Sequence, residues 1–164
     1  MRLAAREMLT RRLVAAALGL FAAGRAAAQT GPQPVIEPLE DLVIVTRDGA
    51  RHRFRVEVAR TPAQQTVGLM FRPSVPADGG MLFDWGSPRE SSMWMRNTIA
   101  SLDMLFITQE GRVRRIAERT VPYSLAPINS GGPVRATLEL AAGTAERLGI
   151  RVGDRVEHPI FGAR

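Results

Sequence analysis

LVIVTRDGARHRFRVEV, residues 42–58, is the segment from which the architecture follows. Leu42 to Thr46 is an apolar, β-branched run, and Asp48-Gly49 is the dipeptide that favours a tight hairpin turn because both residues tolerate positive φ. Beyond the turn the pattern alternates. His52, Phe54, Val56 and Val58 share one face, and Arg51, Arg53, Arg55 and Glu57 share the other. A period of two is the signature of a strand with one buried and one wet face. The chain therefore opens its folded part with a β-hairpin.

Toward the N-terminus the character changes. Gln29 to Asp41 holds Gly31, Pro32, Pro34 and Pro38 and no apolar period, so 29–41 reads as a flexible tether. Residues 1–28 read as a cleavable signal peptide. Arg2, Arg6, Arg11 and Arg12 form a positive head, Leu13–Ala23 is apolar, and Ala26-Ala27-Ala28 offers small residues for cleavage before Gln29. The apolar run falls short of the about 20 residues a membrane-spanning helix needs, so no stable span is expected after cleavage. The pair Arg11-Arg12 leans toward the twin-arginine export route. The expected location is periplasmic or secreted.

Removing that segment changes the charge balance. The chain has 22 basic and 16 acidic residues, net +6. Residues 1–28 hold five arginines and one acid, leaving 17 against 15, or +2, for the rest. So small an excess does not suggest nucleic-acid binding, which wants a basic stripe on the folded domain. Cysteine is absent, which excludes disulfides, thiolate metal sites and a catalytic thiol.

Toward the C-terminus, Thr61-Pro62 with Gln64 forms a capping box for a helix ending near Met70. Residues 73–80 are turn chemistry. Strands are expected at Met81–Asp84, Ser92–Arg96, Leu102–Ile107, Arg112–Glu118, Val134–Leu140 and Arg155–Glu157, with a long loop over 122–133 and a short helix capped by Thr144. Many short strands with two short helices predict one mainly β domain over 42–164, a small β-sandwich or squashed barrel.

Several segments also appear together and in order. They are Gly68-Leu-Met-Phe-Arg72, Gly80-Met-Leu-Phe83, Trp94-Met-Arg-Asn-Thr98, Leu102-Asp-Met-Leu-Phe-Ile107, Leu138-Glu-Leu-Ala-Ala-Gly143 and Gly153-Asp-Arg-Val156. Over about residues 54–158 the chain resembles the bacterial and archaeal family called domain of unknown function 192. The resemblance implies a small, mainly β domain, often behind a signal peptide, with no established activity.

The residues themselves offer one candidate site. Trp94 supplies an aromatic face, and Asn97 and Thr98 supply hydrogen bonds where the strand would end, a combination suited to a sugar or small polar ligand. Asp103 and Glu139 are carboxylates inside apolar runs; buried, each would need a partner such as Arg72 or Arg96. Arg72, Trp94, Asn97, Thr98, Asp103 and Glu139 are thus the candidate ligand-binding residues, with no cofactor implied. Two other chemistries deserve weighing. Asp103 and Glu139 are the one carboxylate pair that would serve glycoside hydrolysis of an envelope polymer, provided they face each other across a cleft. Met70, Met81, Met93, Met95 and Met104 supply thioethers, which select Cu(I), and Met93-x-Met95 would place two sulfurs on one strand face. Only His52 and His158 would join them, and His52 reads better as a hydrogen-bonded core residue. No nucleophile elbow or phosphate-binding glycine loop is present. The expectation is an exported, non-enzymatic module for a small polar ligand, a glycan or an envelope protein partner.

Overall fold

The computed structural model describes residues 31–162; the signal peptide expected at residues 1–28 lies outside them. The order of elements is β1 (Glu40–Val45), β2 (Arg51–Ala59), α1 (Pro62–Val67), β3 (Gly79–Met93), β4 (Leu102–Ile107), β5 (Val113–Ala117), β6 (Ile128–Ala141), α2 (Thr144–Leu148) and β7 (Arg155–Glu157), followed by a 3-10 turn at Pro159–Phe161. The domain is mainly β with two short helices, as expected. The seven strands form one sheet in the order β5-β4-β6-β3-β2-β1-β7. It curls until its ends meet. Arg112 bridges Arg155, Val113 N–H donates to the Asp154 carbonyl at 2.9 Å, and Val156 N–H donates to that of Gly111 at 2.7 Å. Closure of this kind leaves few unpaired edge groups.

The hairpin β1–β2 turns at Asp48-Gly49, as its sequence requires. Helix α1 then crosses to β3, which runs parallel to β2. Its capping box is formed: Thr61 Oγ1 accepts from Gln64 N–H at 3.2 Å, and Gln64 Oε1 accepts from Thr61 N–H at 3.0 Å.

Both faces of the sheet are covered, which explains why every residue of β4 is buried and all but Asp103 are apolar. Leu105 and Ile107 join Leu42, Ile44, Phe54, Val56, Leu82, Leu138 and Val156 inside the curl. Leu102, Met104 and Phe106 point the other way, into a second cluster with Met81, Phe83, Met95 and Leu69. Leu69 and Val75 of the segment after α1, with Ile36, pack on that outer cluster.

Several expectations are corrected here. β3 is a single strand of 15 residues with a bulge after Asp84, not two strands, because Arg89 re-pairs with Val134 beyond the excursion at 85–88. It ends at Met93, and Trp94–Thr98 is a turn closed by Thr98 N–H on the Met95 carbonyl at 3.0 Å. The expected loop 122–133 is partly strand: β6 begins at Ile128, and Gly131 and Gly132 take the positive φ of a second irregularity there. Thr144 does not cap α2. The cap is Gly143 in the left-handed region, and Thr144 is a buried first helical residue. The tether is fastened along part of its length. Gln33 Nε2 donates to the Gly68 carbonyl at 2.8 Å, Ile36 packs on the outer cluster, and Ile36 N–H donates to Glu57 Oε2 at 2.8 Å.

Candidate functional site

The outer cluster contains one group that an apolar layer does not readily hold. Glu139 sits on β6 with Met81 of β3 and Met104 of β4 as its lateral partners. It is only 4% exposed. Burial alone pushes its carboxyl up to about 8, because no cation or hydrogen-bond donor stabilises the charged form. A buried carboxyl without a partner is costly in a domain interior.

Glu139 opens into a small cavity of 30 Å³. Gln65–Met70 form one wall, Phe83 the floor strand, and Met93, Trp94 and Thr98 the other wall. The volume suits one or two water-sized groups. The donors in this wall are already committed. Gln65 Nε2 donates to the carbonyls of Asp84, at 2.7 Å, and Ala59, at 3.2 Å. Thr98 Oγ1 donates to the Arg96 carbonyl at 3.1 Å. What remains is the Glu139 carboxyl, a donor while protonated and an acceptor once ionised, with the lone pairs of Thr98, the sulfurs of Met70 and Met93, and the uncommitted indole N–H of Trp94. Trp94 is half exposed at the mouth, with the Arg96 guanidinium 5.9 Å from its ring centroid.

Of the nominated residues, Trp94, Thr98 and Glu139 therefore line one cavity. Asn97 stands behind it. Its Nδ2 lies 3.9 Å from Met70 Sδ, in position to donate, and its own carbonyl accepts from Phe71 N–H at 2.8 Å.

Arg72 and Asp103 are not brought to the cavity. Arg72 forms a two-pronged, largely buried ion pair with Glu57, one contact of which is 3.0 Å. Neither Asp103 nor Glu139 is its partner. The alternating pattern of β2 put Glu57 on the wet face, but β3 and the 33–36 segment cover that end of the strand. Asp103 is fully buried and accepts from Arg119 N–H at 2.9 Å and Ala145 N–H at 2.8 Å, fastening the loop after β5 and the start of α2. In the β4–β6 register Asp103 stands opposite Leu140, whereas Glu139 stands opposite Met104. The two carboxylates thus face opposite sides of the sheet and form no hydrolytic pair.

The thioethers also rearrange. Met81, Met95 and Met104 are fully buried in the outer cluster. Met93 and Met95 do not share a strand face, because the strand has ended. Met70 and Met93 are the two that reach the cavity. His52 is no hydrogen-bonded core residue: its Nε2 is buried without a partner.

A wider cleft of 540 Å³ lies near β7, lined by Asp41, Glu110, Arg155, Glu157, His158 and Phe161 among others. Its arginine is spoken for: Glu157 pairs with Arg155 and, at 2.6 Å, with Arg51. None of the nominated residues lines it.

Sequence reasoning weighed Met70 and Met93 only as copper-binding thioethers, among five methionines, and missed Gln65 and the role of Glu57; Met70, Met93 and Gln65 meet at the cavity. These three come together only through the α1 crossover, which no local pattern reports.

The chain is similar to known proteins over nearly all of this domain. The model of the DUF192 family, described as an uncharacterized ACR, matches residues 43–158. A crystal structure from Sinorhizobium meliloti 1021, described as a candidate transcription regulator, shares 46% identity with a TM-score of 0.73, covering 76% of this chain and 97% of that one. A protein of unknown function from Novosphingobium aromaticivorans DSM 12444 shares 41% identity with a TM-score of 0.72, covering 80% of this chain and 94% of that one. No curated protein matches.

Proposed function

The chain belongs to the DUF192 family, and on that premise we propose that it is an exported, non-enzymatic binding module whose Glu139 cavity takes a small donor group of a polar ligand, glycan or protein partner. The observation that carries this reading is the buried Glu139, unpartnered among the described residues, at the end of a cavity in which the side-chain donors of Gln65 and Thr98 are committed. Export is supported by the pattern of residues 1–28, and the role of Trp94 by its half-exposed ring at the cavity mouth. The regulator description of the Sinorhizobium protein gains little support in this chain. The 17 arginines of residues 29–164 are nearly balanced by 15 acids, and Arg51, Arg55, Arg60, Arg72, Arg119, Arg135 and Arg155 are each paired with one, so the net positive excess available to phosphates is small.

A second reading is favoured by Met70 and Met93 lining the same cavity. Two thioethers beside a carboxyl would suit a soft monovalent ion such as Cu(I).

Native mass spectrometry of protein prepared without denaturation tests both. An organic added mass that is lost on unfolding and absent from Glu139→Gln supports the first reading. A copper mass lost in Met70→Leu supports the second. A spectrum without added mass, with Trp94 and Met93 NMR signals unmoved by a periplasmic small-molecule extract, overturns both.

A further inference from the structure

We infer that the group received by the Glu139 cavity is a primary ammonium on an alkyl carrier, presented by a ligand that also rests on the apolar surface beside Trp94. The inference rests on the binding reading above and narrows it to one ligand chemistry.

Three observations carry it. First, the cavity offers acceptors. Its one ionisable wall residue is an acid, and the N–H groups of Gln65 and the hydroxyl of Thr98 are already donating elsewhere. A group with several donors and a positive charge complements that set, and its arrival would favour the ionised form of Glu139.

Second, the walls select among cations. Trp94 and Phe83 present rings and Met70 presents a thioether. Hard metal ions want several oxygens, which this cavity does not supply. An organic ammonium is content with one carboxylate and aromatic faces. A primary –NH₃⁺ head can donate hydrogen bonds to the Glu139 carboxyl, which a quaternary head cannot.

Third, the mouth suits a carbon chain. Among the described residues seven large hydrophobics are exposed, and five of them, Trp94, Ile99, Val121, Tyr123 and Leu125, lie on two loops. Those loops are joined by Met95 N–H on the Ser124 carbonyl at 2.9 Å and Tyr123 N–H on the Thr98 carbonyl at 3.2 Å. An apolar surface next to a polar cavity matches an ammonium carried on methylenes.

The test is an NMR titration of the protein with n-butylammonium chloride, with n-butanol, sodium butyrate and tetramethylammonium chloride as comparisons. The readouts are the Trp94 indole N–H, the Met93 methyl and the Glu139 carboxyl carbon. Butylammonium is expected to shift Trp94 and Met93 saturably and to lower the Glu139 titration midpoint by at least one unit. Glu139→Gln should weaken it at least tenfold. Butanol binding as tightly as butylammonium would overturn the ammonium inference and leave a neutral-donor site standing. So would tetramethylammonium acting like the primary amine. No response at Trp94, Met93 or Glu139 to any of the four would overturn the inference, and, with no carried ligand, the binding reading too. Because the comparison among ligands uses unaltered protein, a poorly folded variant does not blunt it.

Discussion

Phe71 donates its backbone N–H to the Asn97 carbonyl at 2.8 Å, and both residues hold left-handed backbone, with φ of 63° and 54°. This bond ties the loop after α1 to the turn after β3, the two segments that form the walls of the Glu139 cavity. Left-handed conformations are uncommon outside glycine and are retained where the surroundings enforce them. The two walls of the cavity are thus tied together by residues in positive-φ backbone.

The role of Asn97 can be divided accordingly. Glycine accepts positive φ without steric cost, and alanine does not. Asn97→Ala should destabilise the protein by about 1 kcal/mol, while Asn97→Gly should stay near the parent value. Urea unfolding midpoints at constant slope would check this. Equal losses in both variants would instead assign the role to the side-chain contact with Met70 Sδ.

Arg72 and Glu57 make a structural prediction. Their side chains are 15% and 8% exposed, so removing one leaves the other charged and buried. Arg72→Ala or Glu57→Ala should each cost about 3–5 kcal/mol, and Arg72→Met with Glu57→Met should recover much of the loss. Glu57→Ala should also free the 33–36 segment, because Ile36 N–H loses its acceptor. Limited proteolysis in that segment, set beside unfolding curves, measures both effects.

Asp103 should separate from Glu139 in every assay. Its oxygens hold two N–H groups, of Arg119 and Ala145. Asp103→Ala strands both donors in the interior and should cost roughly 2–4 kcal/mol. Asp103→Asn keeps one acceptor and should cost less. Neither should move the ligand-induced shift of the Trp94 indole at temperatures where the variant is folded. A direct loss of binding in folded Asp103→Asn would contradict the opposite-face geometry.

The sequence made the strands legible where a pattern was local. The hairpin at Asp48-Gly49, the capping box at Thr61 and the apolar run of β4 all appear as read. What escaped was non-local. Glu57 looked wet because alternation reports one strand, not the 33–36 segment laid across it. The continuation of β3 through the 85–88 excursion depends on Arg89 finding Val134, which its Gly86 and Pro88 would argue against. At the site, Trp94, Thr98 and Glu139 were nominated from residue type and do share a cavity. Arg72 and Asp103 were nominated on the same grounds and do not. The β4–β6 register sends Asp103 and Glu139 to opposite faces, and the ion pair with Glu57 holds Arg72 away from the cavity.

Glu139 gives the prediction with the clearest sign. Its folded carboxyl lies near 8 against an ordinary 4.5, through burial. Below 4.5 both folded and unfolded chains hold the proton, and the group does not affect the balance. Between 4.5 and 8 the unfolded chain releases it while the folded chain keeps it. Stability then falls as pH rises, by about 1.4 kcal/mol per unit. Other groups act in the reverse sense: burial holds His158 below its usual value, and Glu40, Asp84 and Glu157 are lowered in spite of burial, by hydrogen bonds from arginines. Their contributions cancel in a difference between two variants. Glu139→Gln is isosteric and does not titrate, so its stability minus that of the parent protein should be flat below pH 4.5 and climb steadily to pH 8. The gain should reach on the order of a few kcal/mol. Thermal unfolding of both proteins at half-unit intervals from pH 4 to pH 9 measures the difference directly. A flat difference across that range would mean that Glu139 is ionised in the folded protein, and that some donor or cation already satisfies it.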